Sequence, residues 1–219
     1  MAEVVALEKR LEAEGTSLYE LMSRAGLSVA LWIRDMTQRV RTILILCGSG
    51  NNGGDGWVIA GFLASWGYSV SLVTARAADA LAAEPARTMA LEVQAKEHAG
   101  LTVYLNPDEE QLAALIEQAS VIVDALLGTG FDGSVVKSPY DSWIQAVNAA
   151  GAGTPKENES SPLVVAVDVP SGLSAETGKA APTTVRADTT ITMLAYKPGL
   201  LMGSSKQYCG SLQLADLAS

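Results

Sequence analysis

The order of apolar and polar positions predicts alternating strands and helices. Short apolar runs alternate with stretches in which apolar residues recur every three or four positions, which is typical of strands and of amphipathic helices respectively. Ser17 followed by Glu20 is a capping-box pattern, so a helix is expected to begin near Ser17. The predicted strands are 42–47, 69–74, 101–104, 121–126, 163–169, 189–194 and 211–214, and the predicted later helices are 55–66, 84–98, 108–118 and 140–149.

The predicted strands indicate a sheet that is covered on both faces. The run LVVAV in the strand at 163–169 is apolar throughout, whereas a strand exposed on one face alternates apolar and polar residues. Strands that alternate with helices predict an α/β fold, a Rossmann-like three-layer sandwich with a mostly parallel central sheet. The last two strands have no clear helix between them and are expected to extend the sheet as edge or antiparallel strands. The polar segment 151–161 is expected to be a loop within a single domain that spans residues 1–219.

Charge and cysteine content narrow the class of protein. The 24 acidic and 15 basic residues give a formal net charge of −9, and the acids are spread along the chain, which argues against a nucleic-acid partner. Cys47 and Cys209 are far apart in the sequence and are expected to be reduced core thiols. The first residues mix both charges, and no apolar run is long enough to cross a membrane. We therefore expect a soluble cytoplasmic protein.

Three unusual segments follow predicted strands, where open α/β sheets bind their ligands. The segment GSGNNGGDG at 48–56 has five glycines in nine residues between a strand and a helix. Glycine lets the backbone approach a ligand closely, and a helix start directs free N–H groups at an anion. VDALLGTGFDGS at 123–134 contains Asp124, and VDVPSG at 167–172 contains Asp168. An aspartate at a strand end can simply cap a turn, but two of them beside glycine-rich loops favour a functional site.

The first segment also contains the dinucleotide-binding pattern G-x-G-x-x-G, as Gly48, Gly50 and Gly53. In its strand-to-helix context this pattern favours a dehydrogenase. Such a site usually has an acidic residue after the second strand, where this chain has Thr74-Ala75-Arg76, although Arg76 would suit a 2′-phosphate. Pyrophosphate binding alone does not explain the asparagines and aspartate of NNGGDG. A P-loop is less favoured, because no Gly-Lys-Ser/Thr follows.

The segments NNGGDG, VDALLGTG, VDVPSG and AYKPGLL occur in this order along the chain. Together they resemble the YjeF N-terminal domain, the NAD(P)H-hydrate epimerase family, and the resemblance extends over 7–214, including an N-terminal helix in LEKRLEAEGTSLYELMSRAG. It implies an epimerase that interconverts the R and S forms of hydrated NADH and NADPH (NADHX and NADPHX) in cofactor repair. It also implies a homodimer and an ADP/ATP-dependent NAD(P)HX dehydratase as a fused or separate partner, with no nucleic acid or membrane.

The resemblance implies roles for individual residues. Asp168 would be the catalytic acid/base. A potassium ion would be held by Asn52, Asp124 and Ser171, whose oxygen atoms suit a hard cation. The implied substrate-binding residues are Asn51, Asn52, Gly53, Gly54, Asp55, Gly128, Thr129, Gly130, Phe131, Asp132, Gly133, Ser134, Tyr140 and Asp168.

Two other interpretations stay open at this point. A domain of this fold can be a non-catalytic nucleotide-binding or scaffold module, because fold alone does not establish catalysis. An NADP-dependent dehydrogenase is less favoured. Lys197, in the YKPG turn, is expected to be a surface lysine, since lysine side chains are rarely buried.

Overall fold

The computed structural model describes residues 2–36, 42–151, 161–215 and 217. Its helices are α1 (Ala2–Ala13), α2 (Leu18–Met36), α3 (Asn51–Ser65), α4 (Ala86–Ala95), α5 (Glu109–Gln118), α6 (Tyr140–Gly151) and α7 (Lys206–Cys209). Its strands are β1 (Thr42–Cys47), β2 (Ser69–Thr74), β3 (Leu101–Leu105), β4 (Val121–Ala125), β5 (Leu163–Val167), β6 (Thr189–Met193) and β7 (Ser211–Ala215).

Within the described residues, seven strands form one parallel sheet in the order β3-β2-β1-β4-β5-β6-β7. One apolar cluster joins α2, α3 and α4 to one face of this sheet, and a second joins α5 and α6 to the other face. The predicted α/β three-layer sandwich is therefore confirmed. The chain order reverses between β1 and β4, and in open parallel sheets a ligand crevice opens at this point.

The expectation for the last two strands is only partly confirmed. The strand β7 is an edge strand, but β6 lies between β5 and β7, and both pair in parallel. Parallel pairing needs a crossover connection. Two 3-10 turns, Pro198–Leu201 and Gly203–Ser205, and the short helix α7 make this crossover. These elements are too short to show a helical period in the sequence.

The helix α3 begins at Asn51, so the predicted helix start at residue 55, after a glycine-rich turn, is wrong. Three of its glycines lie at close contacts between elements. A Cβ atom on Gly53 would lie 1.9 Å from the Gly48 carbonyl oxygen, and one on Gly56 would lie 2.6 Å from Cys47 Sγ. Tertiary packing therefore overrides the low helix propensity of glycine and brings the helix start directly against the end of β1.

The N-terminal segment forms two helices. Gly15, at a φ of +99°, lies in the connection after α1. The Glu20 backbone N–H then donates to Ser17 Oγ at 3.2 Å, which confirms the predicted helix start.

Three further expectations concern the rest of the chain. Cys47 and Cys209 are buried free thiols, as expected. The predicted polar loop 151–161 lies mostly outside the described residues. Among the described residues, none of the helices combines the length and the apolar composition that a membrane crossing requires.

Candidate active site

Two adjoining cavities lie beyond the carboxyl ends of the central strands. The inner cavity, of about 190 Å³, reaches the ends of β5 and β6, and the outer cavity, of about 400 Å³, lies over the loops after β1 and β4. They share Asn51, Asn52, Gly128 and Thr129, so we treat them as two parts of one cleft. One wall of the inner cavity is apolar and comes from α2, through Leu18, Leu21, Met22 and Ala25.

Asp168 lines the inner cavity directly after β5. Its backbone has a φ of +65°, a left-handed conformation that is rare for a residue with a side chain and is often found at functional sites. Its Oδ1 atom accepts hydrogen bonds from the Met193 backbone N–H at 3.0 Å, from Thr192 Oγ1 at 3.2 Å and from Lys197 Nζ. No described residue donates to Oδ2, so this oxygen is available to a ligand.

Lys197 is not a surface lysine, and the sequence-based expectation for it is wrong. Its side chain is 1% exposed and forms an ion pair with Asp168. Its Nζ atom also donates to the Met193 carbonyl oxygen at 2.7 Å and to Thr192 Oγ1 at 3.0 Å. The lysine is buried because all three of its donor positions are satisfied, one of them by a carboxylate.

A second carboxylate, Asp124, connects the β4 and β5 loops. It is fully buried, and its oxygens accept from the Ser171 N–H at 2.7 Å, the Ser171 hydroxyl at 2.6 Å and the Leu126 N–H at 3.3 Å. Burial raises the pKa of Asp124 to about 6, although these hydrogen bonds lower it. Within the described part of the chain it has no ion-pair partner.

The atoms around Asp124 fit a hard cation. The Asn52 amide donates to the Leu127 carbonyl oxygen at 3.2 Å, and Ser171 Oγ lies 3.3 Å from the same oxygen. An amide, a hydroxyl, a carbonyl and a carboxylate are therefore adjacent, and all four supply oxygen ligands. A cation here would also balance the buried negative charge of Asp124. The described residues contain no cluster of three His, Cys, Asp or Glu side chains that would suit a softer metal.

The outer cavity is suited to an anion. The helix α3 starts at the edge of this cavity, and its N-cap residue, Gly50, has no side chain that could accept from the first N–H groups. The first helical hydrogen bond runs from the Gly54 N–H to the Gly50 carbonyl oxygen. The N–H groups of Gly50, Asn51, Asn52 and Gly53 have no partner within the helix at such a start. Together with the positive end of the helix dipole, they form a typical phosphate-binding arrangement.

Asp55, one turn into α3, also lines the inner cavity. Burial raises the pKa of its carboxyl group well above the usual range, the Asp168 carboxylate raises it further, and Lys197 lowers it. No described residue makes a hydrogen bond or ion pair with this side chain. It therefore differs from Asp168, whose Oδ1 atom has three donors.

The structure brings together most of the residues that the sequence indicated. Asn51, Asn52, Asp55, Gly128, Thr129, Gly130, Phe131, Tyr140 and Asp168 line the two cavities, and Asp124 and Ser171 lie beneath them.

Five residues of the predicted substrate set do not line either cavity. Gly53 and Gly54 pack inside the protein, where a Cβ on Gly54 would lie 2.7 Å from both Ala86 Cβ and Met22 Sδ. Asp132 accepts a hydrogen bond from the Ser134 N–H at 2.9 Å in an exposed turn, and Gly133 packs against Lys179. The missing side chains of Gly53 and Gly54 let α3 pack closely, and Asp132, Gly133 and Ser134 belong to the loop after β4. Arg76 is exposed and also outside both cavities, which leaves the dehydrogenase interpretation without its cationic contact.

The sequence reasoning missed Lys197 and the apolar α2 wall. One signal could have indicated Lys197. It lies shortly after β6, and β6 is the parallel neighbour of β5, which ends directly before Asp168. The α2 residues were identified as an amphipathic helix, but a sequence does not show which part of a helix borders a cavity.

Comparison with known proteins shows what the chain is similar to. The family model described as YjeF-related protein N-terminus matches residues 18–199. The NAD(P)H-hydrate epimerase of Pirellula staleyi is 34% identical over 197 residues, which cover 90% of this chain and 81% of that protein. The bifunctional NAD(P)H-hydrate repair enzyme Nnr of Escherichia coli is 38% identical over 206 residues, which cover 93% of this chain and 36% of that enzyme.

The chain thus spans little more than a third of the length of the bifunctional relatives. The crystal structure of yeast ynu0 matches with a TM-score of 0.72 at 22% identity, over 90% of this chain and 80% of that one, and supports the fold. The family match covers most of the chain and includes α3, Asp124, Asp168 and Lys197. The chain therefore belongs to the YjeF-related protein N-terminus family.

Proposed function

We propose that this protein is an epimerase that interconverts the R and S forms of NADHX and NADPHX. The observation that supports it most is Asp168, a carboxylate fixed at Oδ1 and available at Oδ2, in an apolar-walled cavity that adjoins an anion-binding helix start. The names of the relatives supply the substrate. One of them is an NAD(P)H-hydrate epimerase that matches over most of its own length.

The two cavities suit the two ends of the substrate. The diphosphate binds at the N–H groups that begin α3, with the Gly128–Thr129 loop opposite. The hydrated nicotinamide enters the inner cavity, against the α2 side chains. Such a division places the reacting ring beside Asp168, while binding energy from the distant phosphates positions it.

The chemistry follows from the substrate. Water has added across the C5–C6 bond, so C6 carries a hydroxyl and is bonded to the ring nitrogen. Its configuration is erased either when the C6–O bond breaks, with loss of water, or when the C6–N bond breaks, with opening of the ring. Each route needs proton transfer at the C6 hydroxyl, and Asp168 is the group that we assign to that transfer.

Potassium is part of the proposal. Asn52, Asp124 and Ser171 would hold the ion, with backbone carbonyl oxygens such as that of Leu127. The ion would supply electrostatic balance for the buried Asp124 carboxylate and so support the loops that carry the substrate.

Three proposals concern the setting of the protein. We propose a homodimer and a cytoplasmic location, which light scattering and cell fractionation will test. We also propose that it is fused to, or works with, an ADP/ATP-dependent NAD(P)HX dehydratase, because several relatives named as bifunctional repair enzymes are much longer than this chain.

The test is a chromatographic assay of the conversion of R-NADHX to the S form in potassium buffer. We expect the protein to accelerate the conversion, and we expect Asp168→Asn to abolish the acceleration while still unfolding cooperatively. No acceleration by the folded wild-type protein would contradict the epimerase and favour a binding or scaffold module. Hydride transfer, seen as a change in NADPH absorbance, would favour the dehydrogenase.

A further inference from the structure

Two carboxylates with opposite surroundings share the inner cavity. Asp168 has an ion pair and two further hydrogen bonds at one oxygen. Asp55 is partly buried and has no hydrogen bond or ion pair to any described residue. When two titratable groups in one site have environments that separate their protonation, one serves as the acid and the other as the base.

We propose that Asp55 is a second catalytic residue, the proton donor that acts with Asp168 as the proton acceptor. This inference rests on the proposed function and goes beyond a substrate contact at Asp55. It assigns the route in which water is lost and added again, because that route uses one group to protonate the departing hydroxyl and another to accept a proton from the water that adds to the opposite face of C6.

The step balances as follows. The protonated Asp55 carboxyl donates its proton to the C6 hydroxyl of one epimer, the C6–O bond breaks, and its electron pair leaves with the water. The nitrogen lone pair forms a C=N double bond to C6. Water then adds to C6 from the opposite face and gives its proton to the Asp168 carboxylate. The proton has moved from Asp55 to Asp168, and the reverse reaction or exchange with solvent restores the starting state.

The two side chains line one cavity from different parts of the fold. Asp55 extends from α3 and Asp168 from the end of β5, so they belong to different elements around one cavity. Asn51 and Asp55 are four residues apart on α3, so they share a helix face, and both line the cavity. The backbone around Asp55 is held by the close packing of Gly53, Gly54 and Gly56.

Burial and the Asp168 carboxylate favour the protonated form of Asp55. The titratable groups near it are Asp168 and Lys197 in the cavity and Cys47 beneath α3. Lys197 is already paired with Asp168, which limits how far its charge can stabilise an ionised Asp55. Burial and the Asp168 carboxylate both raise the pKa of Asp55, so its carboxyl keeps its proton to a higher pH than a carboxyl in water does.

The experiment compares Asp55→Asn, Asp55→Glu and Asp168→Asn with the control Asp79→Asn, an exposed carboxylate outside both cavities. The pH dependence of kcat for epimerisation is measured for each protein, together with NADPH binding. NADPH lacks the C6 hydroxyl and reports the integrity of the site. Infrared difference spectra between the wild type and each variant at neutral pH report whether the replaced residue contributed the carbonyl stretch of a protonated carboxyl.

We expect Asp55→Asn to lower kcat by about 100-fold or more, the usual contribution of a general acid. NADPH affinity should change by less than about threefold, a small fraction of the binding free energy. The alkaline limb of the pH profile and the infrared band of a protonated carboxyl should both be lost, whereas Asp55→Glu should restore the limb and Asp79→Asn should match the wild type.

Two kinds of failure are distinguishable. An inactive wild-type protein would overturn the proposed function. An active wild type would overturn the role of Asp55 alone if Asp55→Asn kept its kcat, changed only KM, or kept the infrared band. An alkaline limb that persists in Asp55→Asn would belong to another group and would also overturn the inference.

Discussion

Replacing Lys197 by methionine removes the cation of a buried ion pair and keeps much of the volume of the side chain. The Lys197 side chain is 1% exposed and that of Asp168 is 14% exposed. Breaking a fully buried pair by removing one partner costs about 3–5 kcal/mol, because the other charge is left buried. Water in the cavity solvates part of Asp168, so we expect the lower end, about 3 kcal/mol.

Thermal and denaturant unfolding measure this loss. For a domain of this size, each kcal/mol lowers Tm by roughly 2–4 °C, so Lys197→Met should lower it by about 6–12 °C. The matched control is Lys206→Met, because Lys206 is exposed, and it should change the free energy of unfolding by less than about 0.5 kcal/mol.

A double-mutant cycle with Asp168→Asn separates the ion pair from the packing of the lysine chain. The free energy of unfolding that the double variant loses should be smaller than the summed losses of the two single variants, by at least about 1 kcal/mol. A difference of this size lies within the coupling range of residues in contact. Additive losses, or a loss below about 1 kcal/mol for Lys197→Met, would refute the buried pair.

Three further predictions concern α3 and the cation site. Gly53→Ala should lower the free energy of unfolding by about 1–3 kcal/mol, since its Cβ would meet the Gly48 carbonyl oxygen. Gly50→Ala is the control and should lower it less, because no atom lies within 4 Å of a Cβ there; equal losses would contradict the packing. Folding raises the pKa of Asp55, so ionisation of its carboxyl destabilises the folded state as the pH rises. The Tm of Asp55→Asn should therefore exceed that of the wild type by a margin that grows with pH, and a margin independent of pH would contradict this. Potassium chloride should raise Tm above that in tetramethylammonium chloride at equal ionic strength, and Ser171→Ala should remove the difference; an equal Tm in both salts would contradict the cation site.

The sheet could be predicted because its strands are apolar runs with clear ends. The run at 163–169 indicated a buried strand, and Asp168 at its end indicated the site, since parallel strands all end at one edge. The direction of β6 and β7 was not predictable in the same way. It depends on the crossover through Pro198–Leu201 and α7, which are too short to have a detectable period.

The roles of glycines and of Lys197 needed the structure for a different reason. A glycine can be selected for a turn, for contact with a ligand or for contact with another element, and its sequence position does not distinguish these. Gly53 and Gly54 belong to the third kind. Lysine is usually exposed, so composition argued against burial of Lys197, and only the adjacency of β5 and β6 supplies the carboxylate that permits it.

The turns after β5 and β6 explain why the ion pair lies here. Asp168 and Leu194 both have a left-handed backbone, at φ of +65° and +64°, directly after neighbouring strands. Each such residue costs of order 1–3 kcal/mol and persists only where its surroundings hold it. The Asp168 carboxylate accepts a hydrogen bond from the Met193 N–H, and Lys197 Nζ donates one to the Met193 carbonyl oxygen. The ion pair therefore connects the two turns. Asparagine tolerates this backbone better than alanine, so Asp168→Asn tests the carboxylate while preserving the turn.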